Sequence, residues 1–282
     1  MIKAMPTLGI DVGASKIYYV VLDGEARILE EELKITEKDK NSFLTLCQKI
    51  NAQIKEKKIV LERVGVGVPG TIKDGELSYA PNFPDLMGWN IGTELYKIFN
   101  VPVSVFNDAK AFIFAEVQRG AAKEYKNAIG LTLGSGLGGG LYLNGALYLG
   151  RGSAGEVGHE ILDLPNHKEA EDFVSAKFFQ KFQSDPNTLR QQAEAGDNFS
   201  QSAFREFGNN LGVEIANLVN LLDPEAIVLG GGIAGAYDLF IEAARETAAK
   251  LIVNPASKEV VIINSALGPA AGAIGAALLA GL

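Results

Sequence analysis

Leu133-Gly134-Ser135-Gly136-Leu137-Gly138-Gly139-Gly140-Leu141-Tyr142-Leu143-Asn144-Gly145 is the stretch on which the reading of the fold turns. It contains Gly-x-Gly-x-x-Gly, a spacing that in a dinucleotide-binding βαβ unit opens a helix whose N-terminus receives a pyrophosphate. Here the context is wrong for that unit. Leu141-Tyr142-Leu143 continues as a strand, and Asn144-Gly145 is a two-residue hairpin signal leading to a third strand at 146–149. The glycines therefore form a β-turn between strands at 128–133 and 140–143, where backbone N–H groups can approach a phosphate. A Walker P-loop is excluded as well, because the chain has no Gly-Lys dipeptide.

The same organisation appears at the start of the chain. Apolar or β-branched runs at 8–12, 17–22 and 27–35 read as three strands, with Asp23-Gly24 as the turn between the last two. The first turn, Asp11-Val12-Gly13-Ala14-Ser15-Lys16, combines a carboxylate at a strand end, a glycine and a hydroxyl. That set suits a metal-bound phosphate, and it equally suits an ordinary hairpin turn. Phe43, Leu46, Cys47, Ile50 and Ile54 recur at helical spacing, Val64–Val68 reads as an inner strand, 92–99 as a helix, 101–106 as a strand and 109–119 as a helix. In the second half, helical stretches are expected at 170–183, 203–222 and 236–251, strands at 226–229 and 260–263, and a helix in the tail. Each half thus opens with three antiparallel strands around a glycine turn. The expected fold is α/β and duplicated, with domains at 1–107 and 108–267 and a helix at about 268–282 that packs back on the first.

Composition narrows the function classes. With 26 basic and 34 acidic residues the net charge is −8, which argues against a nucleic-acid or anionic-membrane partner. One cysteine and two histidines leave no intrachain disulfide and no Cys/His zinc set, so no zinc site is expected. The N-terminus shows no apolar signal segment, and the uncharged tail at 266–282 is rich in Ala and Gly and holds Pro269, so a buried helix is expected there. The expected location is cytoplasmic.

Three further motifs could carry chemistry. Asn107-Asp108 lies at a strand's carboxyl end and a helix's start, where either residue could cap the helix and a carboxylate could take a proton from an attacking hydroxyl. Gly152-Ser-Ala-Gly155-Glu156-Val-Gly158-His159 reads as a polar recognition loop for a polyhydroxylated ligand, or as a surface turn. Gly230-Gly231-Gly232 follows a strand and precedes a helix, fitting either a flat ligand against backbone or close helix-on-strand packing.

In order, Asp11-x-Gly13-x-Ser15-Lys16, Gly65-Val-Gly67-Val-Pro69-Gly70, Pro81-Asn82-Phe-Pro84 with Gly88-Trp89, Asn107-Asp108-Ala109, Gly134-Ser135-Gly136 and Gly155-Glu-Val-Gly158-His159 resemble the ROK family of bacterial sugar kinases and repressors. The resemblance implies the actin/hexokinase-like fold, two RNase H-like domains around a cleft, and a homodimer. It implies Asp108 as general base, and Asn82, Asn107, Glu156, His159 and Glu171 as sugar ligands. It gives the ATP phosphates to Asp11, Gly13, Ser15, Lys16, Gly134, Ser135 and Gly136, and the adenosine to Gly230, Gly231 and Gly232. Mg²⁺ would be held by Asp11 through water.

Two departures stand out. The family's cysteine-rich zinc motif is absent: 161–168 leads directly into Glu171-Asp-Phe-Val-Ser175, so zinc cannot be assumed to orient His159. Ser135 stands where the family usually has Thr. The implied activity is ATP-dependent phosphorylation of a hexose 6-hydroxyl, glucose first, with N-acetylmannosamine, N-acetylglucosamine or fructose as alternatives. A sugar-binding or regulatory protein without catalysis is the remaining class. The repressors' N-terminal helix-turn-helix is not expected here, since the first phosphate turn comes at residue 11.

Overall fold

A computed structural model describes residues 6–13, 16–35, 39–73, 76–80, 85 and 87–282. The chain divides into two compact units, residues 1–115 with 149–153 and 269–282, and residues 116–148 with 154–268.

In the first unit, β1 (Thr7–Val12), β2 (Lys16–Leu22) and β3 (Ile28–Ile35) form an antiparallel meander, followed by α1 (Lys40–Glu56) and β4 (Arg63–Val68). A small hairpin, β5 (Thr71–Lys73) with β6 (Glu76–Tyr79), precedes α2 (Ile91–Phe99), β7 (Val103–Asn107) and α3 (Asp108–Arg119). The sheet order is β3-β2-β1-β4-β7, with β1, β4 and β7 parallel.

The second unit repeats this plan. β8 (Ala128–Leu133), β9 (Leu137–Leu143) and β10 (Ala146–Leu147) are the meander. A short hairpin, β11 (Ile161–Asp163) with β12 (Lys168–Glu169), leads into α4 (Ala170–Phe173), α5 (Ala176–Phe179), α6 (Pro186–Glu194) and α7 (Asn198–Leu222). Then come β13 (Ala226–Gly230), α8 (Tyr237–Leu251) and β14 (Val261–Asn264). The order β10-β9-β8-β13-β14, with β8, β13 and β14 parallel, matches the first sheet strand for strand. The fold is duplicated α/β, of the actin/hexokinase-like kind.

The last helix, α9 (Ala271–Ala280), belongs to the first unit, and the strand alternation explains why. Successive side chains on a strand point to opposite faces. Leu8, Ile10 and Val12 of β1 and Val64, Val66 and Val68 of β4 therefore share one face, packed in the core with Phe43, Cys47, Ile50 and Ile54 of α1. The opposite face carries glycine, and α9 lies on it: a Cβ at Gly65 would sit 1.9 Å from the Ala276 carbonyl oxygen, and one at Gly9 2.0 Å from that of Ala273. The uncharged tail is thus a buried helix of ten residues. Among the described residues no helix is long and apolar enough to cross a membrane.

Several local expectations change. The turn after β2 runs from Asp23 to Arg27: the Asp23 carboxylate accepts from the Glu25 and Arg27 N–H groups, and Ala26 takes the positive φ of 56°. The expected helix at 170–183 breaks at Val174–Ser175, because the Ser175 hydroxyl donates to the Glu171 carbonyl and caps α5 by accepting from Lys177 N–H. Sequence reading passed over α6, which Asp185 caps ahead of Pro186, and started the next helix too late, since α7 begins at Asn198. The expected boundary at 107/108 falls where α3 starts, whereas the two units divide further along that helix, between Ala115 and Glu116.

The second core holds a charged group. Glu214 of α7 is fully buried, and neither carboxylate oxygen has a hydrogen-bond partner among the described residues. Burial, then the nearby Glu160, push its pKa from 4.5 up to about 8. The folded chain keeps this proton where the unfolded chain has lost it, so the contribution is full below pH 4.5 and disappears as pH rises through about 8.

Two stability outcomes follow. Gly65→Ala is expected to lower unfolding stability by more than about 3 kcal/mol in urea titration, because carbonyl backbone cannot yield as a side chain can. Glu214→Gln is expected to raise stability by on the order of a few kcal/mol at about pH 9, with the gain vanishing near pH 4.

Candidate functional site

Parallel pairing brings the first unit's polar groups to one sheet edge. Asp11 pairs with Gly67, and Val68 with Asn107, so the carboxyl ends of β1, β4 and β7 lie side by side. Ligands of open α/β sheets bind at such edges. Gly67 leaves the gap: a Cβ there would lie 3.6 Å from both the Asp108 Cα and Asp11 Oδ1. Gly272 of α9 likewise faces Asp11, its would-be Cβ 2.5 Å from the carboxyl. Burial, then the charge of Asp108, push the Asp11 pKa up to about 8. A desolvated carboxyl beside a second one offers the hard oxygen donors that a divalent cation would satisfy.

Asn107 settles the capping question geometrically. Its side-chain oxygen accepts from Lys110 N–H at 3.0 Å, and its amide nitrogen donates to the Gly70 carbonyl at 3.1 Å. Asn107 therefore caps α3, while Asp108 Oδ1 accepts from Ala109 N–H at 2.8 Å. Lys110, overlooked in the sequence, is buried, and its ammonium donates to the Gly152 carbonyl. The only sequence signal for it was its place directly after Asn-Asp-Ala. Gly13 closes the first turn by donating to the Lys16 carbonyl at 2.8 Å, and the Lys16 side chain is exposed. Ser15 and Asn82 lie outside the described residues.

In the second unit, the glycine run is shorter as a loop than its sequence suggests. Gly134 N–H donates to the Gly136 carbonyl, and Gly138, Gly139 and Gly140 are strand residues of β9. Their lack of side chains seats the recognition loop: a Cβ on Gly139 would meet the Gly155 carbonyl at 2.4 Å. Glu156 and His159 are thereby carried at the end of β9, both exposed. Glu171 reaches the turn, its Oε2 2.7 Å from where a Gly136 Cβ would be, and pairs with the Lys177 ammonium at 2.5 Å. One ligand atom each from His159, Glu169 and Glu171 lie within 4.8 Å of one another.

His159 Nδ1 contacts Glu169 Oε2 at 2.8 Å, a partner that sequence reading missed because no pattern at 161–169 foretold the hairpin. This contact, opposed by partial burial and reinforced by Glu171 and Glu156, raises the His159 pKa above its ordinary value.

The third glycine motif divides by role. Gly231 has φ +85°, and its would-be Cβ meets the Leu133 backbone at 2.5 Å, next to the Gly134–Gly136 turn. A Cβ on Gly232 or Gly134 would meet nothing within 4 Å. One glycine thus packs strand against strand, and two line open space that a flat or phosphorylated ligand could fill. Ser135 between the turn glycines is exposed. Gly231→Ala is expected to cost more than about 2 kcal/mol of unfolding stability, through left-handed backbone and a main-chain clash, and Gly232→Ala under about 1 kcal/mol.

A model of the ROK family matches residues 7–281. The N-acetyl-D-glucosamine kinase of Pectobacterium carotovorum subsp. carotovorum (strain PC1) is 28% identical over 96% of this chain and 97% of its own. The xylose repressor of Bacillus subtilis (strain 168) is 27% identical over 97% of this chain and 76% of its own. Among solved structures, a ROK family glucokinase from Streptomyces griseus in complex with glucose and AMPPNP superposes with a TM-score of 0.84 at 27% identity, covering 98% of this chain and 99% of that one.

Proposed function

The chain belongs to the ROK family, and from that premise we propose that it transfers the γ-phosphoryl group of ATP to the 6-hydroxyl of a hexose, glucose first. The observation that carries this reading is the Asp11–Asp108 pair at the carboxyl ends of parallel strands, with Asp108 fixed at the start of a capped helix. Phosphoryl transfer asks a protein for positioning and charge stabilisation more than for covalent chemistry.

In the proposed reaction the 6-hydroxyl oxygen attacks the γ-phosphorus, its proton passes to the Asp108 carboxylate, and the bond to the leaving ADP oxygen breaks. Asn107, whose amide is already engaged by Gly70 and Lys110, acts mainly by fixing Asp108 and has one further N–H for the sugar. Glu156, His159 and Glu171 would bind the remaining sugar hydroxyls, with Asn82 as a further ligand. Gly13, Ser15, Lys16 and the Gly134–Gly136 turn would hold the phosphates, and Gly230, Gly231 and Gly232 the adenosine. The open faces of Gly134 and Gly232 support that assignment. Asp11, a desolvated carboxylate, would hold Mg²⁺ through water; the bound ion would neutralise phosphate charge. The AMPPNP held by the Streptomyces griseus relative supports ATP as donor, and the glucose it holds supports a small sugar as acceptor; a cytoplasmic homodimer is part of the same proposal, on the family resemblance alone. The regulatory alternative, suggested by the repressor relative, is opposed by the net charge of −8.

A coupled ADP-release assay over glucose, mannose, fructose, N-acetylglucosamine and N-acetylmannosamine tests the proposal: turnover on at least one is expected, and none on any would sink it. Asp108→Ala is expected to lower kcat by about 10²–10⁴-fold while calorimetric sugar affinity changes by less than about tenfold. Turnover at the wild-type rate would remove Asp108 as base.

A further inference from the structure

We propose that Glu169 is a positioning residue: its carboxylate, delivered by the β11–β12 hairpin, holds His159 by Nδ1 and so aims Nε2 at the sugar, doing without the metal that the family's cysteine motif would supply. The inference rests on the reading of His159 as a sugar ligand. It adds a residue and a device that the family resemblance does not provide.

The geometry is local to the second unit. Register Ile161↔Glu169 places Glu169 across the hairpin from Ile161, which is two positions after His159, and Ala170 N–H donates to the Glu160 carbonyl at 2.7 Å. The chain therefore leaves His159, turns at 164–167, and returns an acid to the ring it left. The hairpin's turn is itself fixed, since Asp163 accepts from the Asn166 side chain at 2.7 Å. Glu169 is anchored through its backbone as well: its N–H donates to Asp172 Oδ2 at 3.0 Å at the start of α4. The ring contact of 2.8 Å is a charge-assisted distance.

A carboxylate on Nδ1 demands that Nδ1 carry the proton, so neutral His159 presents Nε2 as an acceptor of a hydroxyl proton. Nε2 has no hydrogen bond to a side chain or backbone among the described residues and His159 is exposed, so a ligand hydroxyl can reach it. A cation shared by His159, Glu169 and Glu171 is the competing arrangement. The Lys177 ammonium, 2.5 Å from Glu171 and 3.8 Å from Asp172, already supplies positive charge to this group.

The test uses the full-length protein in two arms. In the first, ¹⁵N spectra of the imidazoles are recorded with and without chelator, His159 being told from His167 with His167→Gln. Wild type is expected to show the Nδ1–H tautomer, unchanged by chelator. Glu169→Gln, which keeps an acceptor, should retain that tautomer, and Glu169→Ser, which suits the N-cap position that Glu169 holds on α4 but cannot reach the ring, should give a mixture. In the neutral ring at alkaline pH, a proton on Nε2 in place of Nδ1 in wild type, a metal on Nδ1 that chelator removes, or no change in Glu169→Ser would overturn the proposal.

The second arm is kinetic. Glu169→Ser should raise the sugar KM about tenfold or more with kcat changed far less, and Glu169→Gln should restore most of the loss. Glu169→Ser should add nothing in a His159→Ala background; a further loss there means that Glu169 acts elsewhere and overturns the proposal. The absence of turnover on every sugar would sink the kinase reading, and the spectra would still decide the ring's orientation.

Discussion

Two carboxyl groups held close, Asp11 and Asp108, form the constraint around which the first unit is organised. Left to themselves, two carboxylates would separate into water. Parallel pairing of β1, β4 and β7 prevents this, because Asp11 and Asn107 end adjacent strands and Asp108 starts the helix that Asn107 caps. Packing α9 against Asp11 through Gly272 then removes water from the carboxyl, which raises its pKa. The glycine face of the sheet, which admits α9, is therefore also what creates the electrostatic tension at its edge. A desolvated carboxyl held beside a second one has a raised affinity for positive charge or for a proton.

The second unit reaches its polar cluster by different means. Its meander turns at Gly134–Gly136, and backbone-to-backbone contact at Gly139 and Gly155 holds the recognition loop against β9. Around that loop the polar groups are paired: the Lys177 ammonium with Glu171, and the His159 ring with Glu169. The β11–β12 hairpin at 161–169 returns Glu169 to the His159 ring. The contact there is a hydrogen bond between two side chains, His159 Nδ1 and Glu169 Oε2.

Much of the architecture was legible in order along the chain. Alternation and turn chemistry located the strands of both meanders, and helical spacing located α1. Asn144-Gly145 was enough to reject a helix after the glycine run, and with it the dinucleotide fold. Short elements were harder. α4, α5 and α6 are four to nine residues long, and their limits depend on single caps such as Ser175 and Asp185 that compete with the wider apolar pattern. Among candidate site residues, those at strand ends were legible because position on a sheet edge follows from strand order. Lys110 and Glu169 were not, because their roles depend on partners distant in sequence or across a hairpin.

By itself, the sequence determined which residue types could carry chemistry and how two similar halves follow one another, since hydrophobic period and turn residues act over a few positions. Tertiary structure decided which of the many glycines pack and which face open space, that Asn107 rather than Asp108 caps α3, that Asp11 feels Asp108, and that Glu169 holds His159. Those are questions of distance between segments, and distance enters only when strands pair and helices settle on a sheet.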